Sequence, residues 1–203
     1  MKPTKIGILA SFGLMLCSFL LTLGVLYARR STDNDVSTVA ITSKASVIKK
    51  ATSFSLLPVR LEIKKIYVNS IVKPVGINKS GDMDISDDIE NLAWYKLGPK
   101  PGEVGSAVIA GHYGWRQNQA AAFNKLHTLK QGDRVIVYDK NDKSISFIVR
   151  KIKTYDPTSS AADVFRSSDG KSHLNLITCD GSWDGVLQTY SERLVIFTDK
   201  IPA

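Results

Sequence analysis

Arg134 to Ile152 reads RVIVYDKNDKSISFIVRKI, two runs rich in Val, Ile, Tyr and Phe separated by the polar residues Asp139 to Lys143. Such side chains suit a pleated, half-buried surface, and a short polar loop between two of these runs is a β-hairpin signal. The pattern continues outward in both directions. Pro58 to Ile63, Ile66 to Val68, Val72 to Ile77 and Ser106 to Gly111 precede the hairpin strands Arg134 to Tyr138 and Ile145 to Ile152; His173 to Thr178 and Arg193 to Thr198 follow them. Pro, Gly, Asn and Asp break these runs apart. Eight short strands with mostly non-helical connections predict a mainly β domain, an antiparallel barrel or sandwich.

Two short helices are expected between the strands. Asp87 and Glu90 have the spacing of a capping box, with Ile89 and Leu92 placed to face a barrel. Ala122, Phe123, Leu126 and Leu129 follow helical spacing, with Lys130 in the last turn and Gly132 as a stop.

The N-terminal part of the chain has a different character. Ile6 to Ala28 carries no charge and is long enough, at about 1.5 Å per residue, to cross about 30 Å of hydrocarbon. It is read as a single transmembrane helix, with Tyr27 as an interfacial anchor and Lys2, Lys5, Arg29 and Arg30 at its flanks. A cleaved signal peptide is the rival reading, but Leu26 and Ala28 make a poor small-x-small site. The expected organisation is an anchor over residues 1–30, a Ser, Thr, Asp and Lys-rich tether over 31–53, and the β domain over 54–203. With the short N-terminal tail kept inside, the β domain lies outside the cell, joined to the cell membrane by that helix.

The net charge of the 203-residue chain is +8, with 27 basic and 19 acidic residues. Four of the basic residues flank the apolar run, and without them the excess falls to +4. This modest balance lacks the dense basic stripes of a nucleic-acid binder, so no nucleic-acid partner is expected, and it suits a domain beside anionic lipid and wall polymers. Cys17 and Cys179 are the only cysteines. One lies within the apolar run, so the chain is no disulfide scaffold, and Cys179 is a lone thiol in a domain expected to be exported.

Cys179 closes the run LNLITC and is followed by Asp180-Gly181-Ser182, a strand end from which a thiol can face a groove. Burial as a small hydrophobe is the common fate of such a residue, but an oxidisable side chain is a poor choice for that task outside the cell. His112 follows the apolar strand SAVIAG and opens the irregular segment Tyr113-Gly114-Trp115-Arg116, where an imidazole can serve as a base for a thiol from elsewhere in the fold. His127 reads as a flank residue. His173 stands six residues before Cys179, about 20 Å in extended chain and too far to be its base. Arg193 begins the last strand, placed to return beside the thiol and to donate hydrogen bonds to a carbonyl or oxyanion.

His112 in AGHYGW, Cys179 in LITCD and Arg193 in ERLVIF stand in the order and approximate spacing of the sortase His, Thr-Leu-x-Thr-Cys and Arg motifs, and the chain resembles that family over about Leu56 to Lys200. The segment Trp94 to His112 is most similar to the class F branch. The departure is at the front of the cysteine motif, where Asn175 rather than Thr precedes Leu176-Ile177-Thr178-Cys179. The resemblance implies an eight-stranded sortase-type β-barrel and a cysteine transpeptidase. It implies that Cys179 attacks the Thr carbonyl of an LPXTG-like sorting signal, that His112 moves protons, and that Arg193 steadies the peptide and the oxyanion. Thr178 and Tyr113 are the expected substrate contacts. The implied partners are sorting-signal peptides of secreted surface proteins and an amine acceptor from a wall precursor or a pilin. No metal site and no cofactor is expected, since no His, Cys, Asp or Glu cluster has ligand spacing. Two other readings are a Cys/His wall peptidase that hydrolyses its substrate and a non-catalytic barrel that binds wall peptides or a partner.

Overall fold

The computed structural model describes residues 54–202. The expected anchor and tether, with Cys17, lie outside the described residues. Among the described residues no helix is long and apolar enough to cross a membrane.

Ten strands form: β1 Arg60–Ile63, β2 Val68–Val75, β3 Leu92–Tyr95, β4 Gly105–Ala110, β5 Trp115–Arg116, β6 Gln119–Ala120, β7 Arg134–Tyr138, β8 Ser144–Tyr155, β9 Ser172–Asp184 and β10 Thr189–Lys200. Eight of them close a barrel in the order β1-β2-β3-β4-β9-β10-β8-β7, and β5 with β6 makes a separate small hairpin. Pairing is antiparallel except for β2 with β3 and β4 with β9, which run parallel. The β7–β8 hairpin forms as the sequence predicts, Tyr138 pairing Ser144 across the polar loop.

The period of two decides which side chains fill the barrel. Val135 and Val137 on β7, Ile145, Phe147 and Val149 on β8, Leu174 and Leu176 on β9, and Leu194 and Ile196 on β10 pack into one interior cluster with Leu61, Ile63 and Ile109. The alternate residues of β4, β9 and β10 point outward. Val108, Val195 and Phe197 build a second apolar layer with Tyr155 and Val164, the latter from the one-turn helix α1, Ala162–Phe165. The outer face of these three central strands is therefore partly roofed by α1.

Three expectations are corrected. The runs Ile66 to Val68 and Val72 to Ile77 are not two strands but belong largely to one, β2, preceded by a 3-10 turn at Lys64–Ile66 and a left-handed Tyr67. The capping-box segment is not a helix. The Asp88 carboxylate accepts from the Glu90 amide (3.0 Å) and the Asn91 side chain (2.9 Å), making a turn that releases the chain into β3. A four-residue helix gains too little from its own hydrogen bonds to compete with burial of Leu92 and Trp94 inside the barrel. Around Ala122 to Leu129 only a 3-10 turn forms, at Leu126–Thr128. Leu126 within it and the flanking Phe123 and Leu129 are buried at every third position, the period of the tighter helix.

Candidate active site

Gly111 fixes where β4 ends. A Cβ on Gly111 would stand 2.6 Å from both Leu92 Cδ2 and Phe123 Cδ2, closer than packed carbons approach, so only glycine lets the strand pass this point of the interior. Its backbone still follows β9: the Gly111 amide donates to the Ile177 carbonyl (3.0 Å), and the Gly111 carbonyl accepts from the Thr178 hydroxyl (2.8 Å). The last parallel pair is Ala110 with Ile177. Continued by two residues, that register brings His112 abreast of Cys179, across an interstrand spacing of about 4.8 Å. On the other side of β9, Cys179 pairs directly with Arg193 of β10.

These three side chains share a face. Val108 is an outward residue of β4 and Val195 of β10, and Ile177 packs against the same outer layer. His112, Arg193 and Cys179 lie an even number of residues from them, so by alternation all three belong to the outer face. The central strand carries the thiol, with the imidazole and the guanidinium on its two neighbours. Thr178, one residue earlier, faces the other way. It is buried at 3% exposure and its hydroxyl is taken by the Gly111 carbonyl, so the structure makes it a tie between β9 and β4 rather than a groove-facing group.

His112 is held by an atom that carries no residue signature. Its Nε2 lies 2.6 Å from the Ser86 carbonyl oxygen. A carbonyl only accepts, so Nε2 bears the hydrogen and Nδ1 is the nitrogen left for proton exchange. Arg193 is also pre-set. Its Nη1 donates to the carbonyls of Tyr190 and Glu192 (2.9 Å each), and its Nη2 to the Thr189 hydroxyl (2.9 Å). Cys179 is half-buried, and two opposing effects act on it: burial pushes its thiol above the ordinary range, and the Arg193 charge pulls it part of the way back.

Aromatic rings wall the site. Tyr113 meets Tyr190 edge to face at 5.2 Å, and Tyr190 meets Trp183 at 5.1 Å. Gly114, in a left-handed conformation at φ 87°, keeps the wall closed, since a Cβ there would come within 2.7 Å of the Tyr190 hydroxyl oxygen. A register shift between Tyr190 and Glu192 turns β10 beside this wall, as bulges next to functional grooves commonly do. His127 is exposed and touches only the far edge of Tyr113, at 6.3 Å between ring centroids. His173 sits at the opposite end of β9, buried between Asp169 and Asp199. Ser86, Tyr190, Trp183 and Thr189 were not singled out by sequence reasoning. The aromatic pair alone left a signal, as two large rings flanking the turn between β9 and β10.

The arrangement presents a nucleophile, a proton-exchanging nitrogen and a fixed cation on one face of the barrel, with the thiol half-buried, the requirements of acyl transfer through a covalent thioester. The family model described as the Sortase domain matches residues 61–201. A comparison with curated proteins found no match. Among solved structures, sortase C-1 from Actinomyces oris is similar at 24% identity and a TM-score of 0.56, over 72% of this chain and 76% of that one. Streptococcus agalactiae sortase C1 is similar at 21% and 0.55, over 71% and 68%. A lid mutant of Corynebacterium diphtheriae sortase A is similar at 19% and 0.56, over 75% and 74%. At these identities the likeness to the three structures shows a shared fold.

Proposed function

The chain belongs to the sortase family of cysteine transpeptidases, and from that premise we propose that it cleaves an LPXTG-like sorting signal between Thr and Gly and passes the acyl group to an amine. The observation that supports this most is the outward face shared by Cys179, its cross-strand partner Arg193 and His112 just past the end of β4.

In the proposed reaction the Cys179 thiolate attacks the Thr carbonyl carbon, and the oxygen takes up negative charge beside Arg193. The tetrahedral intermediate collapses with cleavage of the C–N bond. The departing Gly nitrogen takes a proton from His112 Nδ1, leaving a thioester on Cys179. An incoming amine then attacks the same carbon, gives its proton to Nδ1, and expels the thiolate. The Ser86 carbonyl steadies the imidazolium through Nε2. Arg193 is held by the backbone of its own strand, so it needs little reordering when the oxyanion forms.

Tyr113 belongs to the aromatic wall and is assigned to the peptide; Thr178 is assigned the positioning of Gly111 and His112. The finer subclass proposed is class F, on the segment Trp94 to His112. The substrates proposed are sorting-signal peptides of secreted surface proteins, and the acceptor is a wall-precursor or pilin amine. The proposed setting is the outer face of the cell membrane, with Ile6 to Ala28 as a single-pass anchor and the catalytic domain beyond residue 53. Holding enzyme, substrate and acceptor on one surface raises their effective concentration without new contacts.

The test is to incubate the full chain with a panel of sorting-signal peptides and amines and to identify the products by mass spectrometry. A new amide between the Thr carbonyl and the added amine is expected. Free acid alone, at every amine concentration, would favour a hydrolase and overturn the transfer step.

A further inference from the structure

Six residues before Cys179, about 20 Å away at roughly 3.3 Å per residue, the outer face of β9 forms part of the floor of a cavity of about 370 Å³. This floor is polar and buried: Ser106, His173 and Asn175 are 3%, 4% and 1% exposed. None of these residues has a part in the reaction proposed at Cys179, and the inference does not rest on that reading.

The carboxylates around the cavity are satisfied from within the protein. Asp199 accepts from Arg150 Nε and His173 Nδ1 (2.8 Å each). Asp169 accepts from His173 Nε2 (2.9 Å), the Lys171 amide (3.0 Å) and the Ser167 hydroxyl (2.8 Å). Asp163 accepts from the Tyr155 hydroxyl (2.6 Å) and pairs with Lys153 at 3.5 Å. Asp169 and Asp199 lie on opposite sides of the His173 ring, so the three groups do not converge on one point as metal ligands would.

Apart from Arg150, which is paired with Asp199, the cations are in the opposite condition. Lys151, Arg166 and Lys171 line the cavity, and among the described residues none of them forms an ion pair. One buried acceptor is also unanswered. Asn175 donates through Nδ2 to the Val164 carbonyl (2.6 Å), which fixes the orientation of its amide, yet its Oδ1 is buried with no partner. A buried polar atom without a partner is uncommon in folded proteins and asks for a ligand or a water.

Unpaired cations over an unanswered acceptor match a ligand that is anionic and also carries a donor hydrogen. A carboxylate or a sulfate has no such hydrogen at weakly acidic pH, whereas a phosphate keeps one in that range. We propose that this cavity binds hydrogen phosphate or a phosphate monoester, Lys151, Arg166 and Lys171 holding its charge and Asn175 Oδ1 accepting its hydroxyl hydrogen. The phosphoryl group belongs either to a soluble or polymeric phosphate ester or to a lipid headgroup.

The experiment is calorimetric titration of the full chain in detergent micelles at about pH 6, where a phosphate ester retains part of its second proton. Inorganic phosphate, glycerol phosphate, sulfate and short-chain phosphatidic acid are compared. Saturable phosphate binding is expected, with sulfate weaker by about tenfold, the scale of one hydrogen bond to a charged group. The double variant Arg166→Gln/Lys171→Gln, altered only at exposed positions, should bind phosphate at least about tenfold less tightly. It should still transfer a soluble peptide to an amine at the unaltered rate. Tighter binding of glycerol phosphate than of phosphatidic acid assigns the ester source, and the reverse assigns the headgroup. No saturable phosphate binding, equal affinity for sulfate and phosphate, or undiminished binding by the double variant would each overturn the proposal.

Discussion

Replacing Arg193 by Gln removes the one charge that works against burial of the Cys179 thiol. The two residues are a direct cross-strand pair, and the guanidinium is tied to Tyr190, Glu192 and Thr189 rather than extended into solvent. A charge-to-sulfur separation of about 6 Å, on the scale of the Cα separations of about 5 Å in such pairs, is taken for the magnitude. A thiolate at that distance gains about 0.7 kcal/mol in a water-like medium and about 3 kcal/mol at an effective dielectric constant of 20. Because Cys179 is half-buried, an intermediate value of about 1.4 kcal/mol applies, equivalent to about tenfold in thiolate population. The sign follows directly. Burial raises the thiol and Arg193 lowers it, so the substitution moves the titration midpoint to higher pH. At neutral pH, alkylation of Cys179 by iodoacetamide should therefore slow by about tenfold in Arg193→Gln. The assay is mass spectrometry of the peptide bearing Cys179, which separates it from Cys17, over a series of pH values. An unchanged midpoint, or one moved to lower pH, would refute the electrostatic coupling of β9 to β10 at this position.

Gly111→Ala should destabilise the protein by about 1–3 kcal/mol or more, because the added Cβ meets Leu92 and Phe123 at 2.6 Å; urea unfolding measures this, and transfer activity should fall with it as His112 is displaced. Thr178→Val keeps the shape but leaves the Gly111 carbonyl without its 2.8 Å donor, a loss of about 1–2 kcal/mol in the same assay, with a larger effect on kcat than on KM if the residue positions His112. For Asp169 the hydrogen bond from His173 is the main cause holding the carboxyl well below the usual carboxylate range, so its stabilising contribution is present above the unfolded value and is lost as pH falls through the folded one. Asp169→Asn should accordingly melt at a lower temperature than the parent at neutral pH, and the gap should narrow in strong acid; a constant gap in thermal melts would contradict the assignment.

The barrel was largely legible because β7 and the first half of β8 alternate with a period of two, and because β10 carries the continuous apolar run Leu194 to Phe197 of a strand buried on both faces. Strand β3 was hidden because it has four residues, follows a local capping signal at Asp88, and gains its stability from parallel pairing with β2 and from burial. The tight spacing of Phe123, Leu126 and Leu129 resembles an α-helical stripe in sequence, and only the structure shows that it belongs to a 3-10 turn. At the site, breaks in the apolar runs pointed to His112, Cys179 and Arg193 as candidates, but the strand ends expected at Cys179 and Arg193 are corrected: β9 runs on to Asp184 and β10 already starts at Thr189. The outward face they share depends on a parallel pairing between β4 and β9 across a long connection, which no local pattern encodes. Ser86 was invisible because it acts through its carbonyl. The inward placement of Thr178 follows from the pleat: in a strand, the neighbour of an outward Cys points inward.

Acyl transfer by this chain requires that the sulfur of residue 179 become acylated. Intact-mass and peptide-level spectrometry of the full chain, quenched in acid after mixing with an LPXTG-like peptide, reads this in one step. The expected result is a thioester carrying the peptide up to Thr on Cys179, which disappears when an amine acceptor is added and yields the amide product. Cleavage of the peptide with no acyl group on Cys179 at any time, or an acyl group on another residue, would contradict it.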